Sequence, residues 1–241
     1  MPTVGLQFET RSSDSPGIDS VWTCRSEQVA QMTSVATETW GLVFWSQGGT
    51  AHAAVTGPES RTGTAPVPED ATFVGIQFAV GTALRMATTA SLVDGGIVLP
   101  DATRRTFWLD GHRWQRPHSE DAEALVQWLV RGDVVRRDPL VTQVVRGQGD
   151  LRAVSDRTLE RRFRAVTGLS RGTVRQIERV RAAADLLTAG EVVSDVVDTL
   201  GYYDEPHLAR ALRRYVGRTA AQLREVLGGT IALDTGQRTT S

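Results

Sequence analysis

Two stretches of the sequence place arginine or histidine at helical spacing beside a regular series of apolar residues. They are "SDRTLERRFRAVTGLS" (155–170) and "DEPHLARALRRYVGRT" (204–219). Arginine carries a planar fork of N–H donors that matches phosphate oxygens and the edge of guanine. The chemistry that this pattern offers is therefore recognition by hydrogen bonding and charge.

The two stretches are copies of one pattern, 49 positions apart. In each copy a capping residue, Ser155 or Asp204, precedes a helical series of apolar residues, and a glycine follows about one turn after the last of them. We therefore predict two amphipathic helices that each have a core face and a polar, basic face. The offset aligns Leu159 with Leu208, Arg161 with Arg210, Phe163 with Leu212, Val166 with Tyr215 and Gly168 with Gly217.

The segment between the two copies predicts the elements that position them. Residues Thr173 to Ala189 read as one helix of about 25 Å, with Gly190 as its C-terminal cap. A short helix over Val193–Leu200, stopped by Gly201, precedes the second copy at the angle of a helix-turn-helix. Two such units, held apart by a stiff helix, can place two recognition helices in successive major grooves about 34 Å apart.

The polar faces supply the candidate contacts to nucleic acid. For any one basic residue, the alternative is that its side chain lies on an ordinary solvated helix face. The repeated arginine position and the rigid spacer favour contacts to DNA bases instead. Glu205 could accept from a cytosine amino group or complement the helix dipole, and the sequence leaves both open. The base-edge candidates are Arg157, Thr158, Arg161, Glu205, His207 and Arg210, and the phosphate candidates are Arg164, Arg213 and Arg214.

Charge is divided unevenly along the chain, although the net charge is only -1. Residues 1–138 carry 11 arginines against 16 acidic residues, whereas residues 139–227 carry 15 against 11. No lysine occurs anywhere, which GC-rich coding explains without a functional cause. The excess of arginine in the second part points to nucleic acid.

The first part of the chain, residues 1–117, has short apolar runs broken by turn residues, which indicates β structure. The predicted strands are Gly41–Ser46, Ala51–Thr56 and Thr72–Phe78, and the Asp110-Gly111 pair predicts a hairpin within residues 107–114. Ser119 is expected to cap a helix that ends before Gly132. The apolar stripe of that helix is expected to be Ala122, Leu125, Trp128 and Leu129.

Residues 140–227 resemble the DNA-binding domain of the AraC/XylS family of transcription regulators. The most specific part is "LGYYDEPHLARALRRYVGRTAAQLR", while "TLERRFRAVTGLS" and "IERVRAAADLL" match the first unit and the linker helix. Two positions depart from the family pattern, since Ala220 stands in place of a proline and Val197 in place of the usual alanine. Segment Leu140–Arg146 is expected to supply the first scaffold helix, followed by a longer turn.

The resemblance implies an α+β protein in three parts. Residues 1–137 would form a β-rich, cupin-like domain for effector binding or dimerisation, residues 138–227 a double helix-turn-helix domain, and residues 228–241 a disordered tail. It implies double-stranded DNA as the partner, with a small apolar or aromatic effector, RNA polymerase and a second copy of the chain as further candidates. Five aromatic residues are candidates to line the effector pocket: Trp22, Trp40, Trp45, Phe78 and Trp108. The alternative for each of them is ordinary core packing.

A metal-dependent enzyme is an alternative to a regulator, because cupin-like barrels often hold a metal. The candidate ligands His52, His112 and His118 form no His-x-His pair with a nearby glutamate, and no Ser-His-Asp arrangement or phosphate loop is present. We therefore predict a regulator without catalytic residues, cofactor or metal. The alternatives are a cupin-like metal-dependent enzyme fused to a DNA-binding domain and a DNA-binding regulator without an effector.

The cellular setting is predicted from cysteine content and hydropathy. A single cysteine, Cys24, excludes an intrachain disulfide and is expected to be a small residue in or near the core. No apolar run approaches the roughly 20 residues that cross a bilayer. We therefore expect a cytoplasmic protein with no membrane partner.

Overall fold

The computed structural model describes residues 5–27, 31–145, 147 and 155–225. A β-rich region up to Arg137 is followed by a helical region from Pro139 onward, which confirms the predicted order of β structure and helices. The strands are β1 (Gly5–Ser12), β2 (Ile18–Glu27), β3 (Gln31–Ser34), β4 (Gly41–Gln47), β5 (Thr50–Thr56), β6 (Gly63–Pro66), β7 (Thr72–Phe78), β8 (Thr82–Leu84), β9 (Gly96–Val98), β10 (Thr106–Leu109), β11 (His112–Gln115) and β12 (Val135–Arg137). The tail predicted over residues 228–241 lies outside the described residues.

Six of these strands form one antiparallel sheet in the order β1-β2-β7-β4-β5-β9. The three strands predicted from the sequence are β4, β5 and β7, each correct to within one residue at either end. Strands β3 and β6 form a separate pair, as do β8 and β12. The predicted hairpin is β10–β11, where Asp110 and Gly111 have φ of 52° and 74°, as a type I′ turn requires.

The core of the β-rich region lies on one face of the sheet. Trp40 stacks on Phe78 with 3.9 Å between ring centroids, and its indole N–H donates to the Thr82 carbonyl at 2.7 Å. Helix α2 (Ala122–Arg131) closes this core, after a short helix α1 (Thr89–Leu92) and a 3₁₀ turn over Ser119–Asp121.

Two predictions for α2 were wrong. Ser119 does not cap the helix, because it lies inside the 3₁₀ turn and α2 begins only at Ala122. Trp128 is not part of the buried stripe, since it is 58% exposed, and Val126 lies in the core instead. The other three predicted positions, Ala122, Leu125 and Leu129, are buried as expected.

Cys24 lies in a small apolar cluster with Leu6 and Val67, as the sequence predicted for a core position. Burial raises the pKa of its thiol to about 12, so the thiolate is disfavoured at neutral pH. None of the helices in the described part of the chain combines the length and the apolar composition that crossing a bilayer demands.

The helical region consists of α3 (Pro139–Val145), α4 (Asp156–Thr167), α5 (Arg171–Thr188), α6 (Val193–Leu200), α7 (Glu205–Tyr215) and α8 (Ala220–Glu225). Helix α5 begins two residues before the predicted start because Ser170 caps it, its hydroxyl oxygen accepting from the Thr173 N–H at 3.0 Å. Gly190 follows the helix with φ of 96°, as predicted for a C-terminal signal. Helix α6 has the predicted bounds.

The scaffold segment predicted over Leu140–Arg146 is α3, which begins at Pro139 and ends at Val145, while Arg146 lies outside the described residues. Val141 of this helix lies in the same buried cluster as Phe163 of α4. The two helices are also joined by an ion pair between the Asp138 carboxylate and Arg162 Nε at 2.7 Å. Helix α3 therefore supports α4 from the core side.

The β-rich and helical regions are joined by direct contacts. The backbone N–H of Ala36 donates to the Tyr215 carbonyl at 2.7 Å, and that of Thr62 donates to the Arg214 carbonyl at 2.9 Å. Arg181 of α5 pairs with the Glu38 carboxylate at 3.2 Å. Because Ala36 also lies in the buried cluster of the helical region, the two regions support one another. A domain boundary between residues 137 and 138 stays a prediction.

Candidate nucleic-acid interface

Helices α4 and α7 begin at the predicted capping residues. The Ser155 hydroxyl oxygen accepts from the Thr158 N–H at 3.3 Å, and an Asp204 carboxylate oxygen accepts from the His207 N–H at 2.7 Å. Each cap satisfies one backbone donor that the first helical turn leaves unpaired, and it fixes where the helix starts. The first turns of both helices are therefore held in place.

The apolar faces of α4 and α7 are buried as the internal repeat predicts. Helix α4 buries Leu159 and Phe163, and α7 buries Leu208, Leu212 and Tyr215. Side chains packed this densely resist displacement, because moving them would open cavities. The polar face of each helix is consequently held at a fixed depth relative to the core.

The candidate contact residues lie on the outer faces of these two helices. His207 is half-buried, and the others are exposed. Arg162, which the sequence did not select, is instead held by Asp138 on the side of α4 toward α3. The exposed candidates are Arg157, Thr158, Arg161 and Arg164 on α4 and Glu205, Arg210, Arg213 and Arg214 on α7. Their contacts to base edges or phosphates stay predictions.

The His207 ring is oriented by the turn that precedes α7. The backbone N–H of Tyr203 donates to His207 Nδ1 at 3.4 Å, and the ring meets Tyr202 edge-on with 5.3 Å between centroids. Because Nδ1 accepts this hydrogen bond, the neutral ring carries its proton on Nε2. His207 therefore offers an N–H donor to an acceptor outside the helix.

Tyr202 connects this histidine to the linker helix. Its ring is 5% exposed and lies under the Arg179 guanidinium of α5, 4.5 Å from the ring centroid. Burial raises the pKa of the Tyr202 hydroxyl, so the side chain is uncharged at neutral pH. The series Arg179, Tyr202 and His207 thus fixes the first turn of α7 against α5.

We expect Tyr202→Leu to weaken DNA binding by about 1 kcal/mol, or about fivefold, because the His207 ring loses the surface against which it rests. Tyr202→Phe keeps that ring and is the matched control, for which affinity is expected to remain unchanged. Fluorescence anisotropy with labelled DNA measures the affinity, and thermal unfolding checks that each variant is folded.

The effect of Tyr202→Leu should disappear when His207 is already alanine. An equal loss of affinity with and without His207 would show that Tyr202 acts on the fold as a whole rather than through this ring.

The structure adds Tyr203 to the candidate contacts. This residue lies in the turn between α6 and α7, directly before the Asp204 cap, and it is 90% exposed. The sequence signal was the tyrosine pair in "GYYDE", but two adjacent aromatics do not reveal which one is buried. Here Tyr202 faces the core, so Tyr203 faces solvent beside the reading face.

The five aromatic residues predicted for an effector pocket do not surround one cavity. Trp40 and Phe78 are stacked in the core of the β-rich region. Trp22 and Trp45 lie on the other face of the sheet, because successive side chains of a strand point to opposite faces. Trp108 is 39% exposed on the hairpin. The predicted grouping is therefore wrong.

Four of these five rings, all except Trp108, have a packing partner that accounts for their position. The Trp22 indole covers Gly75, where a Cβ atom would come within 1.9 Å of the ring. Trp45 stacks on His52 with 4.9 Å between centroids. Two surface cavities lie among the described residues, and none of the five predicted aromatic residues lines either of them.

The larger of these two cavities is an open groove of about 800 Å³ between the β-rich region and α5. Charged side chains line it, including Arg11, Glu38, Glu178, Arg181 and Asp185. Burial raises the pKa of the Glu178 and Asp185 carboxyl groups. The groove is therefore polar, unlike the aromatic pocket that the sequence predicted.

Two of the histidines considered as metal ligands, His52 and His112, have neighbours of their own. His52 stacks on Trp45, and His112 Nδ1 lies 2.8 Å from the Asp110 carbonyl oxygen. Within the described ranges, no group of three or more histidine, cysteine, aspartate or glutamate side chains is placed to bind a metal ion.

Comparison with known proteins identifies the helical region. A family model described as a helix-turn-helix domain matches residues 152–225. The HTH-type transcriptional regulator RipA of Corynebacterium glutamicum is 39% identical over 70 residues, which are 29% of this chain and 21% of that protein. The match thus spans about a fifth of the regulator's length. The structure of ToxT from Vibrio cholerae aligns over 91% of this chain and 98% of that one, with 8% identity and a TM-score of 0.43.

The family match contains α4 to α8 complete, with both capped helices and the helix between them. It therefore includes both copies of the repeat, from which the polar, basic faces of α4 and α7 were predicted. Residues 152–225 are a helix-turn-helix domain of the AraC type.

Proposed function

We propose that this chain is a transcription regulator that binds specific DNA sequences through the outer faces of α4 and α7. The observation that carries the proposal is the pair of capped helices whose apolar faces are buried and whose basic faces are exposed within the helix-turn-helix domain. A solvated surface would not require the same cap, core face and arginine position in two helices 49 residues apart.

In this proposal the side chains near the start of each helix read the bases. A recognition helix enters the major groove with its N-terminal residues against the base edges. Arg157, Thr158 and Arg161 occupy this part of α4, and Glu205, His207 and Arg210 occupy it in α7. Arginine pairs best with guanine, and the His207 Nε2–H donor suits a purine N7 or a thymine O4.

Phosphate contacts are assigned to residues nearer the helix ends. Arg164 lies in the last turn of α4, and Arg213 and Arg214 lie in the last turn of α7. Tyr203 joins this group, because its exposed hydroxyl can donate to a phosphate oxygen. These contacts fix orientation on the duplex and carry no sequence information of their own.

The linker helix α5 sets the separation of the two reading helices. Its 18 residues span about 27 Å at 1.5 Å per residue, and it contacts α4, α6, α7 and α8. One turn of B-DNA measures about 34 Å. A rigid element of this length suits two reading helices in successive major grooves on one side of the duplex.

Selection of bound sequences from random DNA, followed by a salt titration of the selected site, tests this proposal. The full chain is used because Ala36 of the β-rich region is part of the core of the helical region. We expect a preferred site about two helical turns long and a slope of log affinity against log salt of about −3 or steeper, because at least three arginines contact phosphates. Affinity that stays flat as salt rises, or the absence of any enriched sequence, would refute the proposal.

Control by a small molecule is a further part of the proposal, and it rests on the family resemblance. A ligand in the groove between the β-rich region and α5 would contact both regions at once, since Glu38 and Arg181 both line it. A thermal-shift screen should therefore include polar and charged compounds as well as the predicted apolar and aromatic ones. A regulator without an effector would show no shift and unchanged DNA affinity.

Transcription in vitro from a template with the selected site tests the predicted contact with RNA polymerase.

A further inference from the structure

The hairpin β10–β11 is a basic segment within an acidic region. Residues 1–138 carry 16 acidic residues against 11 arginines, yet residues 104–116 carry four arginines against one acid, Asp110. That acid is already held by Arg85, whose Nε lies 2.9 Å from a carboxylate oxygen of Asp110. The hairpin therefore has no acid of its own left to neutralise its arginines.

Two of these arginines lie opposite each other at the open end of the hairpin. The Arg116 N–H donates to the Arg105 carbonyl at 2.8 Å. This bond extends the β10–β11 ladder by one rung beyond Thr106 and Gln115, and we call Arg105 and Arg116 the arginine rung. Like charges directly opposite one another on two strands are destabilising. The arginine rung therefore costs stability unless an anion lies beside it.

Neither member of the arginine rung forms an ion pair with a carboxylate in the described part of the chain. Elsewhere in the β-rich region, Arg11, Arg25 and Arg136 each form one. Arg116 is half-buried, and burial lowers the pKa of its guanidinium because no anion offsets the loss of water. The arginine rung is thus a partly desolvated cationic site that an anion would stabilise.

The hairpin is attached to the part of the β-rich region that supports the first reading helix. Arg85, which holds the hairpin turn through Asp110, directly follows β8, and β8 contacts α4. Five residues of extended chain separate Asp110 from Arg105, which is about 17 Å at 3.3 Å per residue. That length is about half of one turn of B-DNA, which measures about 34 Å. The separation therefore fits DNA that continues past the bases read by α4.

We propose that the arginine rung binds the phosphate backbone of duplex DNA next to the sequence read by α4 and α7. The inference rests on the proposed function and adds to it a contact from the β-rich region. Two guanidinium groups side by side match phosphate oxygens, and a duplex presents such oxygens in a continuous series. The contact carries no base preference, so it raises affinity for every flanking sequence alike.

Duplexes of two lengths test this contact with the full chain. The short duplex contains only the selected site, and the long one adds about ten base pairs, one helical turn, on each side. We expect the wild-type chain to bind the long duplex more tightly, with a slope of log affinity against log salt that is steeper by about two units, one for each arginine. Raising the salt from about 50 mM to about 200 mM should then reduce the gain from the flanks about tenfold.

Arg105→Ala and Arg116→Ala in one chain should abolish the gain from the flanks and leave affinity for the short duplex unchanged. Arg105→Ala alone should remove about one unit of the difference in slope. Thermal unfolding without DNA checks the fold, and Arg105→Ala should be at least as stable as the wild type, because it relieves repulsion between like charges.

Arg113→Ala is the matched control within the same hairpin. Arg113 is exposed, but strand alternation places it and its partner Trp108 on the face opposite to that of the arginine rung. The gain from the flanks should therefore persist in this variant. An equal loss in Arg113→Ala would overturn the proposal, because general positive charge rather than the arginine rung would then be responsible.

The two duplex lengths also separate this proposal from the proposed function. A wild-type chain that binds the short duplex selectively and gains nothing from the flanks would overturn the phosphate contact alone. If the flanks have no effect but the double variant lowers transcription in vitro, the arginine rung binds an acidic protein surface and the proposal is wrong. With mixed-sequence duplexes of the same two lengths, a gain that depends on Arg105 and Arg116 without any preferred site would support the contact and refute sequence-specific reading.

Discussion

Arg210→Ala is expected to reduce affinity for the preferred DNA site by about 1–3 kcal/mol and to relax the choice of one base pair, which we expect to contain the guanine that Arg210 contacts. Arg210 is exposed on α7, less than two turns from the Asp204 cap. Leu208 and Leu212 anchor the opposite face in the core. Among the described residues no carboxylate forms an ion pair with Arg210, so its guanidinium is available to a base edge.

Arg214→Ala is the matched comparison, because Arg214 lies one turn later on the same exposed face. Its guanidinium lies over the Tyr215 ring at 5.3 Å from the centroid, in the last turn of the helix. We expect this change to weaken binding to all sequences by a similar factor and to reduce the salt slope by about one unit. We expect both variants to fold normally, since both side chains are exposed.

The measurement is anisotropy with the selected site and a set of single-base changes, at several salt concentrations. A base-reading arginine gives a loss that depends on the base at one position, while a phosphate contact gives the same loss for every sequence. If Arg210→Ala weakens every sequence equally, Arg210 is a phosphate contact and the assignment of base-reading positions on α7 must be changed.

Features fixed by neighbours in the sequence could be predicted well. The caps at Ser155 and Asp204 and the hairpin at Asp110-Gly111 depend on a few consecutive residues, and all three are present. The repeat gave the buried faces of α4 and α7, because one face of an amphipathic helix must meet a core.

Features fixed by distant parts of the chain were missed. Trp40 and Trp22 were assigned to one pocket, yet Trp40 lies in the main core of the β-rich region and Trp22 packs against the cluster on the other face of the sheet. Trp128 fits the helical period of α2 as well as Val126 does, and only the position of the sheet decides which is buried. The role of Tyr203 likewise depends on Arg179 of α5, which selects Tyr202 as the buried partner.

The contact between the β-rich region and the first reading helix gives the second large prediction. Gly168 ends α4 with φ of 78°, and its N–H donates to the Arg164 carbonyl at 2.8 Å. A Cβ atom here would lie 2.9 Å from the Thr89 carbonyl oxygen and 2.6 Å from Val93 Cγ2. The end of α4 therefore fits directly against α1 and the residue that follows it.

Gly168→Ala is expected to lower the free energy of unfolding by about 2–5 kcal/mol, the sum of left-handed strain and overpacking against backbone. Gly201→Ala is the matched control, since Gly201 ends α6 with φ of 65° and a Cβ there meets nothing within 4 Å. It should cost only the strain, about 1–2 kcal/mol. Denaturant unfolding of both variants gives the two values.

The difference between these two variants measures how firmly the β-rich region holds α4. The aligned Gly217 should fall between them, because a Cβ there meets only side-chain atoms, Thr62 Oγ1 at 2.7 Å and Thr33 Cγ2 at 2.9 Å, and no backbone atom within 3 Å. Equal destabilisation by Gly168→Ala and Gly201→Ala would mean that α1 moves away at no cost. In that case the β-rich region would not position the first reading helix, and the contact would carry no signal to the DNA.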